Sequence, residues 1–116
     1  MKIKIPIDKM TKKTIRSVLR EITSRISRGF NPERIILFGS YATGSYDADS
    51  DLDILVVMPV KESKRKTAVE IGKTLHDIRV PKDIIVTTPE DYAWRKDVAG
   101  TIEYPASRSG SVLYER

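Results

Sequence analysis

The sequence predicts an α/β or α+β domain built around one central sheet. Two patterns and one length support this. Short apolar runs of strand length alternate with stretches of helical periodicity, and turn residues separate them. The 116 residues suffice for one domain spanning 1–116 with a small hydrophobic core.

Residues 3–7 alternate Ile-Lys-Ile-Pro-Ile and predict a short edge segment, because Pro6 excludes a central strand. Ile15, Val18, Leu19, Ile22 and Ile26 share one helical face, so an amphipathic helix is expected over 11–27, capped at Gly29. Asn31-Pro32 then turns the chain. Arg34 to Phe38 reads as a buried strand running into Gly39. Asp51 to Met58 reads as a second strand, apolar beyond its acidic start and ended by Pro59. Ala68, Ile71, Leu75 and Ile78 indicate a helix over 63–76, and Asp83 to Thr87 a third strand. Thr88-Pro89-Glu90-Asp91 starts another helix, with an N-cap, a proline at the first position and acids in the first turn. That helix is expected to reach Ala99, with Gly100 closing it. Val112-Leu113-Tyr114 adds a last short strand.

Composition narrows the function classes. With no cysteine, disulfide frameworks and thiolate metal sites are excluded. No run approaches a membrane span and the start has no signal-type apolar core, so a cytoplasmic protein is the default expectation. Lys and Arg number 21 against 16 Asp and Glu, a formal charge of +5. Such a balance suits nucleic acid, nucleotide, an acidic protein or simply a solvated surface. The runs Lys12-Lys13 and Lys64-Arg65-Lys66 lack interleaved aromatics, so they do not indicate nucleic-acid binding.

Asp51 and Asp53 lie two apart on a predicted strand and therefore share a face, with Cα atoms roughly 6.6 Å apart. At that separation two carboxylates repel by about 2.5 kcal/mol at an effective dielectric of 20. A solvated strand end would tolerate the pair, but the surroundings favour a cation between them. Gly39-Ser40-Tyr41-Ala42-Thr43-Gly44 follows a strand directly, where glycines allow close backbone approach and free amides cradle phosphate. Asp83 opens the third strand. If that strand lies beside the second, three carboxylates converge on one face. Oxygen ligands open to phosphate suit Mg²⁺, and two such ions would activate an attacking oxygen and stabilise a leaving pyrophosphate. Leu55, Val57 and Ile85 share this face, and they would leave apolar surface beside the site for a partner to cover.

Gly39-Ser40, ten intervening residues, then Asp51-Leu52-Asp53-Ile54 closely resembles the signature of the polymerase-beta-like nucleotidyltransferase superfamily. With its length and Asp83 leading Ile-Ile-Val-Thr, the chain looks most like the minimal nucleotidyltransferases, which act as antitoxins of HEPN-domain ribonucleases. The resemblance covers residues 11–116. It implies a mixed sheet with helices packed mainly on one face. It implies that Asp51 and Asp53 hold two Mg²⁺, with Asp83 as third ligand and helper in deprotonating the acceptor. It implies that Gly39, Ser40, Gly44 and Ser50 contact the triphosphate of ATP. It further implies transfer of AMP to a hydroxyl, a tyrosine in relatives, of a HEPN-type toxin. A homo-oligomer is compatible with this picture. The pattern departs in one place, since many relatives carry a basic residue in the loop before the Asp pair. Here that loop reads Thr43-Gly44-Ser45-Tyr46-Asp47-Ala48-Asp49, leaving Lys82 or the Lys64 cluster to supply the charge.

Two other functions compete. Transfer to a small molecule would require an acceptor pocket that larger relatives build with an extra helical domain. A non-catalytic antitoxin would simply cover its toxin. Among isolated residues, His76 reads as a surface or capping group, Trp94 as a core or partner contact, and Tyr46 as a loop aromatic with no assigned role at the base.

Overall fold

The computed structural model describes residues 11–116, so the edge segment expected over 3–7 lies outside the described residues. Helix α1, Lys12–Phe30, begins at Thr11, whose side chain accepts from the Thr14 amide. Its buried positions are Ile15, Val18, Leu19, Ile22 and Ile26, the stripe that the periodicity marks. The helix outruns its expected cap. Asn31, not Gly29, closes it in the left-handed conformation at φ 50°. Asparagine tolerates that region better than other non-glycine residues, and Phe30 still packs against the core.

Strand β1, Arg34–Phe38, runs into a one-turn helix α2, Ser40–Thr43. Strand β2, Leu52–Val57, starts one residue after Asp51. Helix α3, Lys64–Thr74, is capped by the Ser63 hydroxyl. Strand β3, Lys82–Thr87, leads into α4, Pro89–Arg95, with Thr88 as the expected N-cap. Helix α4 stops short of Ala99. Thr101 Oγ1 donates to the carbonyls of Arg95 and Val98, both at 2.8 Å, and turns the chain there. A helix that the pattern does not announce follows, α5, Glu103–Ser109, and β4, Ser111–Glu115, ends the fold.

The sheet order is β3-β2-β1-β4. Strand β1 pairs antiparallel with β2 and with β4, whereas β2 and β3 pair in parallel through the α3 crossover. The sheet is therefore mixed. Its two faces bury different residues, because side chains alternate along a strand. Ile35, Leu37, Leu52, Ile54, Val56 and Val86 pack with the stripes of α1 and α3. Ile36, Phe38, Leu55 and Val57 pack with Tyr92 of α4 and Ala106 of α5. The long helices thus lie on one face, and two short ones cover the other. Arg25 ties α1 to the turn after α3, donating to Asp77 at 2.5 and 3.1 Å and to the Thr74 carbonyl at 3.0 Å. Among the described residues no helix is long and apolar enough to cross a membrane.

Candidate active site

Three strand ends converge where β1 finishes and β2 and β3 begin. Antiparallel pairing sets Phe38 opposite Asp53, and parallel pairing sets Asp83 opposite Asp53 from the other side. Neighbouring strands lie about 4.8 Å apart, so the Asp53 and Asp83 carboxylates rise side by side on one face. Asp51 sits at the strand's mouth, exposed, as is Asp83, while Asp53 is half-buried. Burial pushes the Asp53 carboxyl above its ordinary range, and the charges of Asp83 and Asp51 push it further. Among the described residues none of the three carboxylates has an ion pair or a hydrogen-bonded side-chain partner. Among the described residues no cation balances the three charges.

Gly39 closes over this group. Its φ of 74° and ψ of −155° belong to a region that glycine alone occupies comfortably. A Cβ on Gly39 would collide with Asp53 Oδ2, so the bare backbone itself presses on the carboxylate. Ser40 opens α2 directly beside it, where the first amides of a helix have no acceptor within the helix. Gly44, at φ 86°, ends α2 and has open space around it, consistent with a turn rather than a close approach.

The following loop is braced internally. Ser50 Oγ accepts from the Asp47 amide at 2.9 Å and donates to Asp47 Oδ1 at 3.2 Å, and the Asp49 amide donates to Asp47 Oδ1 at 2.9 Å. The Ser50 hydroxyl is therefore already engaged. Tyr46 stacks on Tyr41 with ring centroids 4.4 Å apart and planes 8° off parallel. Tyr46 is the loop aromatic that the sequence suggests, and one face of its ring belongs to Tyr41. Burial pushes the Tyr41 phenol up, helped by Tyr46, Asp47 and Asp51, which places this pair beside the acids.

Neither suggested cation reaches the carboxylates. Lys82 Nζ donates to the carbonyls of Ile78 at 2.7 Å and Val80 at 3.3 Å, and burial pushes its ammonium down. It neighbours Asp83 in sequence and so points to the other face. Lys64 pairs with Asp91 of α4, beyond the far end of β3. The apolar surface expected beside the site is also absent, because Leu55 and Val57 are buried beneath Tyr92 and Ala106. His76 does cap, with Nδ1 3.0 Å from the Lys73 carbonyl, whereas Trp94 is 57% exposed and not core.

Sequence alone gave no sign of a buried network behind the site. Glu103, only 4% exposed, accepts from Thr87 Oγ1 at 2.7 Å and Arg95 Nε at 3.2 Å. It anchors α5 and α4 to the far end of β3.

As to metal, the donor set is hard oxygen without a local counter-charge, which fits Mg²⁺. Among the described residues no three such side chains stand close enough to form a ready-made cage. That also fits an ion completing its shell from phosphate and water.

A half-buried aspartate beside two others, under a glycine-led turn and on a mixed sheet, is the arrangement expected from the resemblance to nucleotidyltransferases. The chain matches the nucleotidyltransferase domain family over residues 5–107 and belongs to it. A candidate protein adenylyltransferase of Methanocaldococcus jannaschii is 40% identical over 65 residues, which are 53% of this chain and 57% of that one. The match thus spans less than two thirds of that relative. In fold, the chain resembles a candidate nucleotidyltransferase from Sulfolobus solfataricus, with TM-score 0.60, 24% identity, and coverage of 93% and 92% of the two chains. A toxin–antitoxin structure with AMP-PNP shares the fold at TM-score 0.50 and 20% identity, over 84% of this chain and 73% of that one.

Proposed function

We propose that this chain transfers AMP from ATP to a hydroxyl of a protein partner. The observation that carries the reading is Asp53, held half-buried between Asp51 and Asp83 with no cation among the described residues to balance them. Sequestering uncompensated carboxylates in this way is unfavourable unless a ligand brings positive charge.

Asp51, Asp53 and Asp83 would hold two Mg²⁺ ions between them. When bound, those ions supply positive charge to the triphosphate and to the attacking oxygen. Gly39 allows phosphate to approach bare backbone, and the opening amides of α2 with the Ser40 hydroxyl donate to it. Gly44 and Ser50 contribute through the loop, Gly44 by turning it and Ser50 by bracing Asp47. Asp83, exposed at the mouth, accepts the proton of the incoming hydroxyl. The deprotonated hydroxyl oxygen of the acceptor forms a bond to the α-phosphorus, the bond to the pyrophosphate oxygen breaks, and pyrophosphate leaves. Exclusion of water then depends on the acceptor's own surface, because the site lies open at a sheet end.

The family membership supports nucleotidyl transfer, and the protein adenylyltransferase relative supports a protein acceptor. The toxin–antitoxin likeness and the motif resemblance extend this to a HEPN-type toxin silenced on a tyrosine, with the present chain as antitoxin. The test supplies labelled ATP and Mg²⁺ with a co-purifying helical partner, and separately with aminoglycosides and RNA 3′ ends. Label on the partner's tyrosine, lost in Asp53→Asn, is expected. Robust label on a small molecule or RNA end, with none on protein, would overturn the reading.

A further inference from the structure

Strand β4 is a sheet edge, and its outer side has no strand partner among the described residues. Between it and α1 lies a groove of about 460 Å³ with Leu19 and Leu113 in its lining and Arg16, Arg20, Thr23 and Ser24 around them. The β1–β4 ladder steps from Ile35–Tyr114 to Ile36–Val112, so Leu113 faces no residue of β1. Val112 beside it is 54% exposed. Arg16 and Arg20 are exposed, one helical turn apart, and have no ion pair among the described residues.

We propose that this edge takes an extended acidic segment of a protein partner as an added strand. Its carboxylates would lie against Arg16 and Arg20, and its apolar side chains against Leu19 and Leu113. The argument is one of complementarity. An edge strand offers main-chain hydrogen bonds to any extended chain, and side chains at alternate positions select which one binds. Two arginines without an ion pair among the described residues select an anion. A second copy of this chain would bring the same arginines and one glutamate on its own β4, which is a poor match. Nucleic acid would want exposed rings for its bases, and none lines this groove. The surface rests on the protein-acceptor reading for its purpose, though not for the contact itself. Ser111, where β4 begins, pairs with Leu37, two residues before Gly39. A strand added outside β4 would lie three strand spacings, roughly 14 Å, from β2 and its Asp53 at that end of the sheet.

The test uses the full chain in EDTA without nucleotide, so that transfer plays no part. A fluorescent peptide of about eight residues, with glutamate and valine taking turns at every second position and threonine between them, roughly 26 Å when extended, is titrated in, and β4 amide exchange is followed. Binding is expected, with protection of the outward β4 amides and weakening in salt. Arg16→Glu with Arg20→Glu should weaken it by about tenfold or more. A peptide with lysines in place of its glutamates should bind that double variant, which shows that the variant remains folded. Because binding is read without nucleotide or metal, failed transfer by the unaltered chain with intact peptide binding counts against the proposed function alone. Stronger binding of U-rich RNA would overturn the proposal. So would outward β4 amides already protected in the free chain, by its own residues 1–10 or a second copy. Unchanged β4 exchange on peptide addition would do the same.

Discussion

Asp53 shows how one residue's position can work against folding and for chemistry. Its carboxyl is held above the ordinary range by burial and then by Asp83 and Asp51. A raised folded-state value means that the ionised form is disfavoured in the folded chain. The destabilisation is absent below the ordinary value of 3.8, grows as pH rises through the folded-state value and is complete above it. Asp53→Asn in EDTA should therefore melt higher than the unaltered chain at pH 7. Solvent screening at this half-exposed end keeps the gain to about 1 kcal/mol at most. The difference should vanish as pH falls toward 3.8. Thermal melts at several pH values decide it, and a lower melting temperature at neutral pH would show that the acid is not crowded. The three aspartates were legible in the sequence because each opens or precedes an apolar run, which fixes face and end together. The contact of Gly39 with Asp53 was not, since a Gly-Ser pair reads the same in any turn. Nor was the stack of Tyr41 on Tyr46, which depends on a turn folding two residues back together.

At the scale of elements, the unforeseen part is the pair α4 and α5. Helical periodicity finds α1 because five aliphatic residues mark its stripe. It misses α5 because the buried positions there are Glu103 and Ala106, with Pro105 in the first turn. A buried glutamate gives no apolar signal, yet it holds this layer to the sheet. Burial pushes the Glu103 carboxyl up, but hydrogen bonds from Thr87, the backbone and Arg95 outweigh it and leave it below the ordinary 4.5. A lowered value contributes stability above pH 4.5 and loses it as pH falls through the folded-state value. Glu103→Ala should cost about 2–3 kcal/mol at pH 7, because the buried Thr87 hydroxyl and Arg95 lose their acceptor. Denaturant unfolding at pH 7 and below 4 measures both the loss and its narrowing in acid. Equal stability of variant and parent at pH 7 would remove Glu103 from the anchor.

For the molecule as a whole, the decisive fact is that both apolar clusters share one sheet. Neighbouring residues of β2 face opposite ways, Ile54 and Val56 to one cluster and Leu55 and Val57 to the other. Neither layer keeps its burial if the other is lost, and Arg25 clips α1 to the α3–β3 turn besides. We expect residues 11–116 to unfold as one cooperative unit. Far-ultraviolet and near-ultraviolet circular dichroism should give coincident transitions, and separated midpoints would show two units. The alternation of strands and helices made this architecture legible, while length alone did not show that both faces would be covered. Leu55 and Val57, expected to offer apolar surface to a partner, are buried beneath α4 and α5 instead.

The exposed position of Trp94 has a practical consequence. It is the chain's single indole, more than half exposed on α4, with the Arg95 guanidinium 5.6 Å from its ring centroid. We expect its native emission to lie near that of a solvated indole, so that loss of the core moves the wavelength little. A molecule settling on α4 would shift that emission to the blue against a quiet background. A macromolecule seated on the far β4 edge would leave it unchanged, which makes one native fluorophore a reporter of where on the surface a partner sits.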